Sequence, residues 1–262
     1  AHAASGLLQV AAGALAISHN ALPGDGVAVP HLGDRLGASA DIASFGGHKA
    51  QITLTSQEHP VRAPLLLKPA PKLYLFAANN KAELIQHIQA EQLVKASDRL
   101  DRSAIGDVKL AIVASSPEEF ASKKQQAIAL LERGNQAKNY ALMIGIYYAE
   151  KPLKGKLAFT FPSSAGSYSG MGQSLLLAYP KLLQTLQSKV KRPGSIENAA
   201  AWIYDSSVSD SSVSLFEKLK GALFLSQIHS LFSHEVLGLK PDAYIGFSAG
   251  ETAALFASGV WG

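Results

Sequence analysis

One serine near the carboxyl-terminal end of the sequence has the setting of a catalytic nucleophile. An apolar stretch over residues 243–247 leads into Ser248, which stands between Gly246 and Gly250 in the motif Gly-x-Ser-x-Gly. A helix-forming stretch begins directly after the motif. The order strand, tight turn and helix is typical of a nucleophile elbow, in which the serine hydroxyl attacks an ester or thioester carbonyl. We therefore predict that Ser248 is a catalytic nucleophile.

The residues beside Ser248 suit this role. Gly246 and Gly250 have no Cβ atoms, so that strand and helix can approach each other closely. The helix that begins near Ala249 would point free N–H groups at the site, and its dipole favours developing negative charge. A plain strand-to-helix turn of an α/β sheet is the alternative interpretation of the same motif.

A nucleophilic serine needs a base, and on α/β folds of this type the base follows the serine in the chain. The sequence of 262 residues has no histidine, aspartate or arginine after Ser248. We therefore expect it to be a piece of a larger enzyme. His229 and His234 precede the serine in a predicted helix, and we expect both to be structural. Their spacing of five does not match the i, i+4 geometry of a helical metal site, so no metal is predicted.

The composition limits the possible partners and compartments. Hydrophobic residues make up 47% of the sequence and charged residues 17%, which predicts packed cores. Because there is no cysteine, disulfides and thiolate metal sites are excluded within these residues, and we predict a cytoplasmic protein. The net charge of +4 comes from scattered residues and predicts no nucleic-acid partner. The apolar stretch 7–17 is too short to span a bilayer, so we predict no membrane span.

Periodicity and turn residues predict an α/β protein. In the first part we expect a helix over residues 1–20, a strand over 50–54 and a proline-rich extended linker over 59–71. This part is too small to form its own core and is expected to complete another domain.

A small α/β unit is predicted over residues 72–150. Its expected strands are 73–77, 109–113 and 140–147, and its expected helices are 81–94 and 117–133. Ser116, Pro117 and Glu119 have the spacing of a helix start with a capping box.

A second α/β domain is expected over residues 156–262. It has a predicted strand at 156–161, helices at 171–186 and 215–236, a solvated serine-rich loop at 205–214 and the final strand with the elbow.

Several separated stretches resemble one family in the same order. Residues 44–54 (SFGGHKAQITL) are similar to the closing ketosynthase stretch FGGTNAHVVL, and residues 1–6 (AHAASG) to the segment after that domain's catalytic histidine. Residues 161–172 (FPSSAGSYSGMG) resemble the acyltransferase opening FPGQGSQYxGMG, and residues 238–251 (GLKPDAYIGFSAGE) resemble GxxPDxxxGHSxGE. Together these stretches resemble the ketosynthase-to-acyltransferase region of polyketide synthases and fatty acid synthases.

The resemblance implies a domain organisation. Residues 1–58 would be the end of a thiolase-like ketosynthase, 59–71 a linker, 72–153 the α/β linker domain, and 154–262 the first part of an α/β-hydrolase-like acyltransferase domain. Three departures from the family stand out. Phe247 replaces the histidine of GHS, residues 163–165 (SSA) replace GQG, and residues 48–51 (HKAQ) replace TNAH. This pattern resembles the multienzymes that make polyunsaturated fatty acids or related glycolipid chains.

The resemblance also implies a reaction. Ser248 would take an acyl or malonyl group from CoA, with the backbone N–H groups of Ala249 and Ser164 as the oxyanion hole. The group would pass to the phosphopantetheine thiol of an acyl carrier protein, with no cofactor bound directly. Other expected partners are the neighbouring ketosynthase and the remaining acyltransferase segments.

The family's catalytic histidine and malonyl-binding arginine have no counterpart within this sequence, so we expect little turnover from the chain alone. Two alternatives stay open at this point. One is an α/β-hydrolase esterase, and the other is a non-catalytic docking or scaffold segment.

Overall fold

The computed structural model describes residues 5–24, 27–33, 35–43, 47–56, 62–67, 70–95, 106–133, 144–151, 154–163, 167–192 and 194–261. The chain is mixed α/β, with helices and strands in both of its compact units. One unit comprises Ala1–Leu67 and Lys156–Gly262, and the other comprises Lys68–Gly155. The assignment of these parts to ketosynthase, linker and acyltransferase domains stays a prediction.

The unit Lys68–Gly155 contains a three-stranded antiparallel sheet with two helices. Its elements, in chain order, are β5 (Lys72–Ala78), α2 (Lys81–Gln89), β6 (Val108–Ala114), α3 (Pro117–Arg133) and β7 (Ile146–Ala149). The sheet order is β5–β6–β7. Alternate residues of β6 are buried, as expected for a sheet covered on one face. The core comprises mainly Phe76, Leu84, Ile88, Leu110, Ile112, Ala127, Leu131 and Ile146.

Local side-chain hydrogen bonds begin both helices of this unit. The Asn80 side chain accepts from the Glu83 N–H at the start of α2, at 2.9 Å. At the start of α3 the Glu119 N–H donates to Ser116 Oγ at 3.2 Å. The Glu119 carboxylate accepts from the Ser115 N–H, one residue before the position that a standard capping box uses. These caps satisfy N–H groups that the helix itself leaves without acceptors.

Two element boundaries predicted for this unit were wrong. The strand expected over 140–147 is β7 at Ile146–Ala149, because Gly145 forms a turn with φ of 77°. Residues 140–143 of that expectation lie outside the described residues. The first helix ends at Gln89 rather than at 94, since Glu91 takes a φ of 54°. Beyond it, the Val94 N–H donates to the Leu75 carbonyl of β5.

The amino-terminal part of the other unit is one helix with two hairpins. The helix is α1 (Ser5–His19); the hairpins are β1 (Ala21–Pro23) with β2 (Ala28–Pro30), and β3 (Gly37–Ala43) with β4 (Lys49–Thr55). Gly6 of α1 lies so close to β3 that an added Cβ would be 2.8 Å from the Ile42 side chain. Helix α1 therefore packs closely on β3. The strand predicted at 50–54 is one arm of a hairpin, since β4 pairs with β3. Residues 44–46 between these strands lie outside the described residues.

Residues 62–67, part of the predicted linker, are hydrogen-bonded to their own unit. The Ala63 N–H donates to the Ser18 carbonyl and the Leu65 N–H to the Leu177 carbonyl, both at 2.8 Å. Arg62 is buried. This stretch contains neither helix nor strand and is held at both of these points.

Five helical segments form most of the remaining core. They are α4 (Gln173–Ala178), α5 (Pro180–Lys189), α6 (Ser195–Ala200), a 3₁₀ turn (Ala201–Tyr204) and α7 (Leu215–Leu231), which continues as a π turn (Phe232–Val236). The single helix predicted over 171–186 was wrong, because Tyr179 leaves the helical region before Pro180. Residues 205–214 form the predicted loop. The core comprises mainly Leu32, Leu176, Leu182, Leu183, Ile196, Trp202, Ile203, Phe224, Leu225, Ile228 and Leu231.

Two parallel strands and a final helix end the described chain. Strand β8 (Ala158–Phe161) pairs with β9 (Ala243–Gly246), and α8 (Ala249–Ala257) follows β9 after a two-residue turn. Because the strands are parallel, residues after Phe161 and residues after Gly246 lie at the same end of this sheet. That end contains Ser248.

Candidate active site

Ser248 lies in the tight turn between β9 and α8. Its φ of 55° and ψ of −121° belong to a region that residues with a Cβ rarely adopt. The side chain makes no capping hydrogen bond to α8, and the residue is exposed. A strained, exposed serine directly before a helix is what the elbow interpretation requires.

The two motif glycines are required by close backbone contacts. A Cβ on Gly250 would overlap the Phe161 carbonyl oxygen and lie 2.9 Å from the Pro162 carbonyl oxygen. A Cβ on Gly246 would overlap the backbone of Glu251. The turn is further held by the Phe247 N–H, which donates to the Phe161 carbonyl at 3.1 Å. The elbow is therefore packed against the end of β8.

The amide of Ala249 is available for an oxyanion. Ala249 is the first residue of α8, and the N–H of such a residue has no acceptor within its own helix. The second predicted donor, Ser164, lies outside the described residues. Its described neighbours Pro162 and Ser163 follow β8 directly, and Pro162 lies beside Gly250. The stretch that contains the second predicted donor thus starts next to the elbow.

Neither histidine of the preceding helix is bonded to Ser248. His234 lies in the π turn, where its Nε2 is hydrogen-bonded to the Tyr244 hydroxyl at 3.1 Å. His229 is exposed on α7 and lines a cavity of about 520 Å³ to which Ser248 does not contribute. Partial desolvation lowers the pKa of the His229 imidazole, which favours its neutral form. Among the described residues, neither of these imidazoles acts on the serine.

An aspartate fixes the relative position of the two strands that carry the site. The Asp242 carboxylate accepts from the Leu157 N–H at 2.8 Å, and the Leu157 carbonyl accepts from the Asp242 N–H at 2.7 Å. This reciprocal pair sets the register in which Phe161 lies opposite Gly246. No role was predicted for Asp242 from the sequence. Its position directly before a predicted strand was the available signal.

The described residues contain no group of histidine or acidic side chains that could hold a metal ion. None of the described helices has both the length and the apolar character needed to cross a bilayer.

Phe247, which stands where the resembling family has histidine, is 74% exposed.

Comparison with known proteins gives a similar polyketide synthase. No protein-family model matches the sequence. The reducing polyketide synthase BOA6 of Botryotinia fuckeliana (strain B05.10) is 26% identical over 247 residues, which cover 88% of this chain. The chain is related to the polyketide synthases. It spans 10% of the length of that polyketide synthase.

Three solved domains are also similar to the chain. The acyl transferase domain of SpnD, in complex with 2-(pent-4-yn-1-yl)malonyl, has a TM-score of 0.48 at 18% identity, covering 74% of this chain and 46% of that domain. The acyltransferase domain of the iterative polyketide synthase in enediyne biosynthesis has a TM-score of 0.38 at 16% identity, with coverages of 73% and 42%. The domain from module 8 of the salinomycin polyketide synthase has a TM-score of 0.44 at 18% identity, with coverages of 72% and 45%.

Relationship to the polyketide synthases agrees with the resemblance noted from the sequence motifs. The catalytic role of Ser248 and the oxyanion roles of Ala249 and Ser164 stay predictions.

Proposed function

We propose that this chain provides the nucleophile of an acyltransferase in a multienzyme of the polyketide synthase type. The observation that carries the proposal is the exposed Ser248 at positive φ between a parallel strand and the first turn of α8. The similarity to a reducing polyketide synthase supports it, since the motif resemblance implies transfer of an acyl group from CoA in multienzymes of this type. The narrower similarity to polyunsaturated fatty acid multienzymes remains a prediction.

The first chemical step is the formation of an acyl-enzyme. The Ser248 oxygen attacks the carbonyl carbon of an acyl- or malonyl-CoA, its proton passes to a base, and the CoA thiolate leaves after the tetrahedral intermediate collapses. The negative oxygen of that intermediate accepts hydrogen bonds from the Ala249 and Ser164 N–H groups. Each such donor contributes roughly 2.7–4 kcal/mol in enzymes where it has been removed.

The second step transfers the acyl group. The phosphopantetheine thiol of an acyl carrier protein attacks the serine ester and forms a new thioester, while the Ser248 oxygen regains a proton. Both steps need a base, and neither His229 nor His234 is bonded to the serine. We therefore expect the isolated chain to acylate itself slowly and to transfer acyl groups with little or no turnover.

Mass spectrometry of the intact chain tests the nucleophile. After incubation with malonyl-CoA or acetyl-CoA, we expect one added acyl group on the unaltered chain and on Ser258→Ala, but none on Ser248→Ala. Ser258 is the matched control because it is an exposed serine at the other end of α8. Equal labelling of Ser248→Ala and the unaltered chain would refute the assignment.

The acceptor is tested separately. Radiolabelled malonyl-CoA with excess phosphopantetheinylated carrier protein should give at most about one label per chain if the base is missing. Multiple turnovers that disappear in Ser248→Ala would contradict the expected inactivity and support the transferase. Rapid hydrolysis of p-nitrophenyl esters without carrier protein would instead favour an esterase.

A further inference from the structure

The stretch of residues 167–172 comes shortly after the predicted oxyanion donor Ser164. Along the chain, Ser164 stands between the described residues Ser163 and Ser167. The 167–172 stretch contains turns but neither helix nor strand, and α4 begins directly after it, at Gln173. Turn bonds fix the local shape of such a stretch, but its position depends on contacts with other parts of the chain.

The 3₁₀ turn Ala201–Tyr204 makes two hydrogen bonds to this stretch. The Gly170 N–H donates to the Ile203 carbonyl at 2.6 Å, and the Tyr204 hydroxyl donates to the Met171 carbonyl at 3.0 Å. The two bonds join consecutive residues of one segment to consecutive residues of the other. Together they fix both the distance and the relative direction of the two segments, whereas a single bond would leave them free to rotate.

The 3₁₀ turn is itself anchored in the core. Ile203 is 1% exposed and Trp202 is 8% exposed, and the Trp202 indole N–H donates to the Glu217 carbonyl of α7 at 3.1 Å. A Cβ on Gly221 of α7 would lie 3.0 Å from the Trp202 ring, so the indole packs tightly against this helix. The groups that hold the 167–172 stretch therefore belong to a closely packed part of the unit.

The Tyr204 hydroxyl remains a hydrogen-bond donor at ordinary pH. Burial raises the pKa of Tyr204 above its ordinary value of 10.0, so the hydroxyl keeps its proton. Gly172 ends the stretch with a φ of 75°, and a Cβ there would lie 2.5 Å from the Leu225 side chain and 3.7 Å from the Tyr204 hydroxyl. The stretch can therefore pack closely beside Tyr204 because Gly172 has no side chain.

Two further side-chain contacts tie the same stretch to neighbouring segments. The Ser167 hydroxyl donates to the Lys218 carbonyl of α7 at 3.0 Å, and the N–H and hydroxyl of Ser169 both donate to the Asp210 carboxylate. Four residues of the stretch are thus each bonded to a residue between positions 203 and 218. These bonds hold the chain on the side of Ser164 that is remote from β8.

The chain on the other side of Ser164 is fixed at the elbow. Pro162 follows β8 directly, and its carbonyl oxygen lies close to Gly250. In sequence, the predicted donor therefore stands between one anchor beside the Ser248 turn and a second anchor at Tyr204. An oxyanion donor is effective only where its N–H is held at hydrogen-bonding distance from the developing charge.

We propose that Tyr204 is a positioning residue of the acyltransferase site, which holds the 167–172 stretch and thereby orients the backbone at Ser164 for the oxyanion. It acts through the Met171 carbonyl rather than by contact with the acyl group. This inference rests on the proposed function, because the oxyanion forms only if Ser248 is acylated. Its structural part, the fixing of the stretch by the hydroxyl, is measurable without acylation.

Hydrogen exchange tests the structural part. Tyr204→Phe removes the hydroxyl and keeps the ring, and Tyr179→Phe is the matched control because Tyr179 lies in the same unit and is 41% exposed. The Gly170 amide, which is bonded to Ile203, reports on the stretch by NMR. We expect its exchange to be about three- to tenfold faster in Tyr204→Phe and unchanged in Tyr179→Phe. The Phe247 amide, bonded to β8, should be unchanged in both.

Mass spectrometry of the intact chain over a range of malonyl-CoA concentrations tests the catalytic part. Because an oxyanion donor acts in the transition state, the maximal rate of Ser248 acylation should fall about tenfold in Tyr204→Phe. The malonyl-CoA concentration that gives half of this rate should change by less than about twofold. Tyr179→Phe should match the unaltered chain. Ser167→Ala, which removes the bond to Lys218, should also lower the rate, and Ser167→Thr, which keeps the hydroxyl, should retain most of it.

Three results would overturn the proposal. Unchanged exchange of the Gly170 amide in Tyr204→Phe would show that the hydroxyl does not fix the stretch. Faster exchange with an unchanged maximal rate would show that the stretch does not position the donor. A higher half-saturating concentration with an unchanged maximal rate would assign Tyr204 to the binding of CoA.

Failure of the proposed function gives a different pattern. The unaltered chain and every variant would then lack acylation, and the catalytic part of the inference would be refuted together with the proposed function. Exchange of the Gly170 amide would still decide whether Tyr204 fixes the 167–172 stretch.

Discussion

Gly250, in the first turn of helix α8, lies directly against the Phe161 carbonyl at the end of strand β8. A methyl group on Gly250 would overlap this carbonyl oxygen and approach the Pro162 carbonyl oxygen to 2.9 Å. Both neighbours are backbone atoms, so neither can move aside as a flexible side chain would. The position of Ser248 relative to the end of β8 therefore depends on this glycine.

We expect Gly250→Ala to lower the free energy of unfolding by at least about 2 kcal/mol, because overpacking forces the backbone to shift. The same shift would displace the elbow, so acylation of Ser248 should also be lost. Urea denaturation and intact mass measure the two effects. Gly37→Ala is the matched control, since its Cβ would meet the nearest atom at 3.7 Å, an ordinary contact. Equal stability of the two variants would contradict the packing argument.

The backbone conformation of Ser248 supports a second prediction. A residue with a Cβ held at positive φ stores about 1–3 kcal/mol of strain, which glycine relieves. Ser248→Gly should therefore be more stable than Ser248→Ala by an amount in this range. Both variants should fail to acylate, because both lack the hydroxyl.

Ser258 provides the comparison for this strain. It is the C-cap of α8 with a φ of −79°, in the right-handed region, where alanine in place of glycine stabilises a protein by roughly 0.4–1 kcal/mol through the unfolded chain. The order of stability of the glycine and alanine variants should thus be reversed between positions 248 and 258. The same order at both positions would show that Ser248 is not strained.

Elements with strong local signals could be predicted from the sequence. The helix start at Ser116 followed from its own spacing, and the Glu119 N–H bonds to its hydroxyl in the structure. The strand, turn and helix around Ser248 likewise depend on residues within a short stretch. In both cases the predictive signal is local in the sequence, although the elbow is also held by contacts with Phe161 of β8.

Features that depend on distant contacts were predicted poorly. The break between α4 and α5 was missed because the apolar helical pattern continues across Pro180 without interruption. The structure shows the boundary in the non-helical conformation of Tyr179. The segment near Leu65 was interpreted as an extended linker, yet the Leu65 N–H donates to the Leu177 carbonyl far along the chain. The strand at Ile146–Ala149 was placed too early because the residues before it are equally apolar. Periodicity alone does not determine such boundaries.

Asp242 supports a third prediction, about the register of β8 and β9. Asp242→Ala removes the carboxylate that accepts from the Leu157 N–H, and we expect a loss of about 1 kcal/mol in unfolding free energy, since the group is exposed. Asp242→Asn should retain most of this stability because its amide oxygen can accept the same bond. Urea denaturation measures both variants.

Asp41 serves as the control for charge alone. It is an exposed aspartate on β3 in the same unit, and Asp41→Ala should change stability by less than about 0.5 kcal/mol. If Asp242→Asn were as unstable as Asp242→Ala, the carboxylate charge rather than the hydrogen bond would matter, and the proposed role in register would be wrong.

The last prediction concerns Asp210 in the serine-rich loop. Its carboxylate accepts from both the N–H and the hydroxyl of Ser169, and these bonds hold the pKa of Asp210 below its ordinary value of 3.8. Because the folded-state pKa is lowered, the contribution of this contact is present above pH 3.8 and is lost as the pH falls through the folded-state value. The contact ties the loop to the stretch that follows Ser167.

NMR titration of the Ser169 amide measures this directly. We expect its proton shift to change with a midpoint below 3.8, and to lose this transition in Asp210→Asn, which keeps an acceptor but no ionisable group. The Ser207 amide is the internal control in the same variant, because it donates to Asp205 and should keep its own transition. A Ser169 midpoint at or above 3.8 would mean that the two hydrogen bonds do not favour the ionised carboxylate, and the loop would then not be held by this contact.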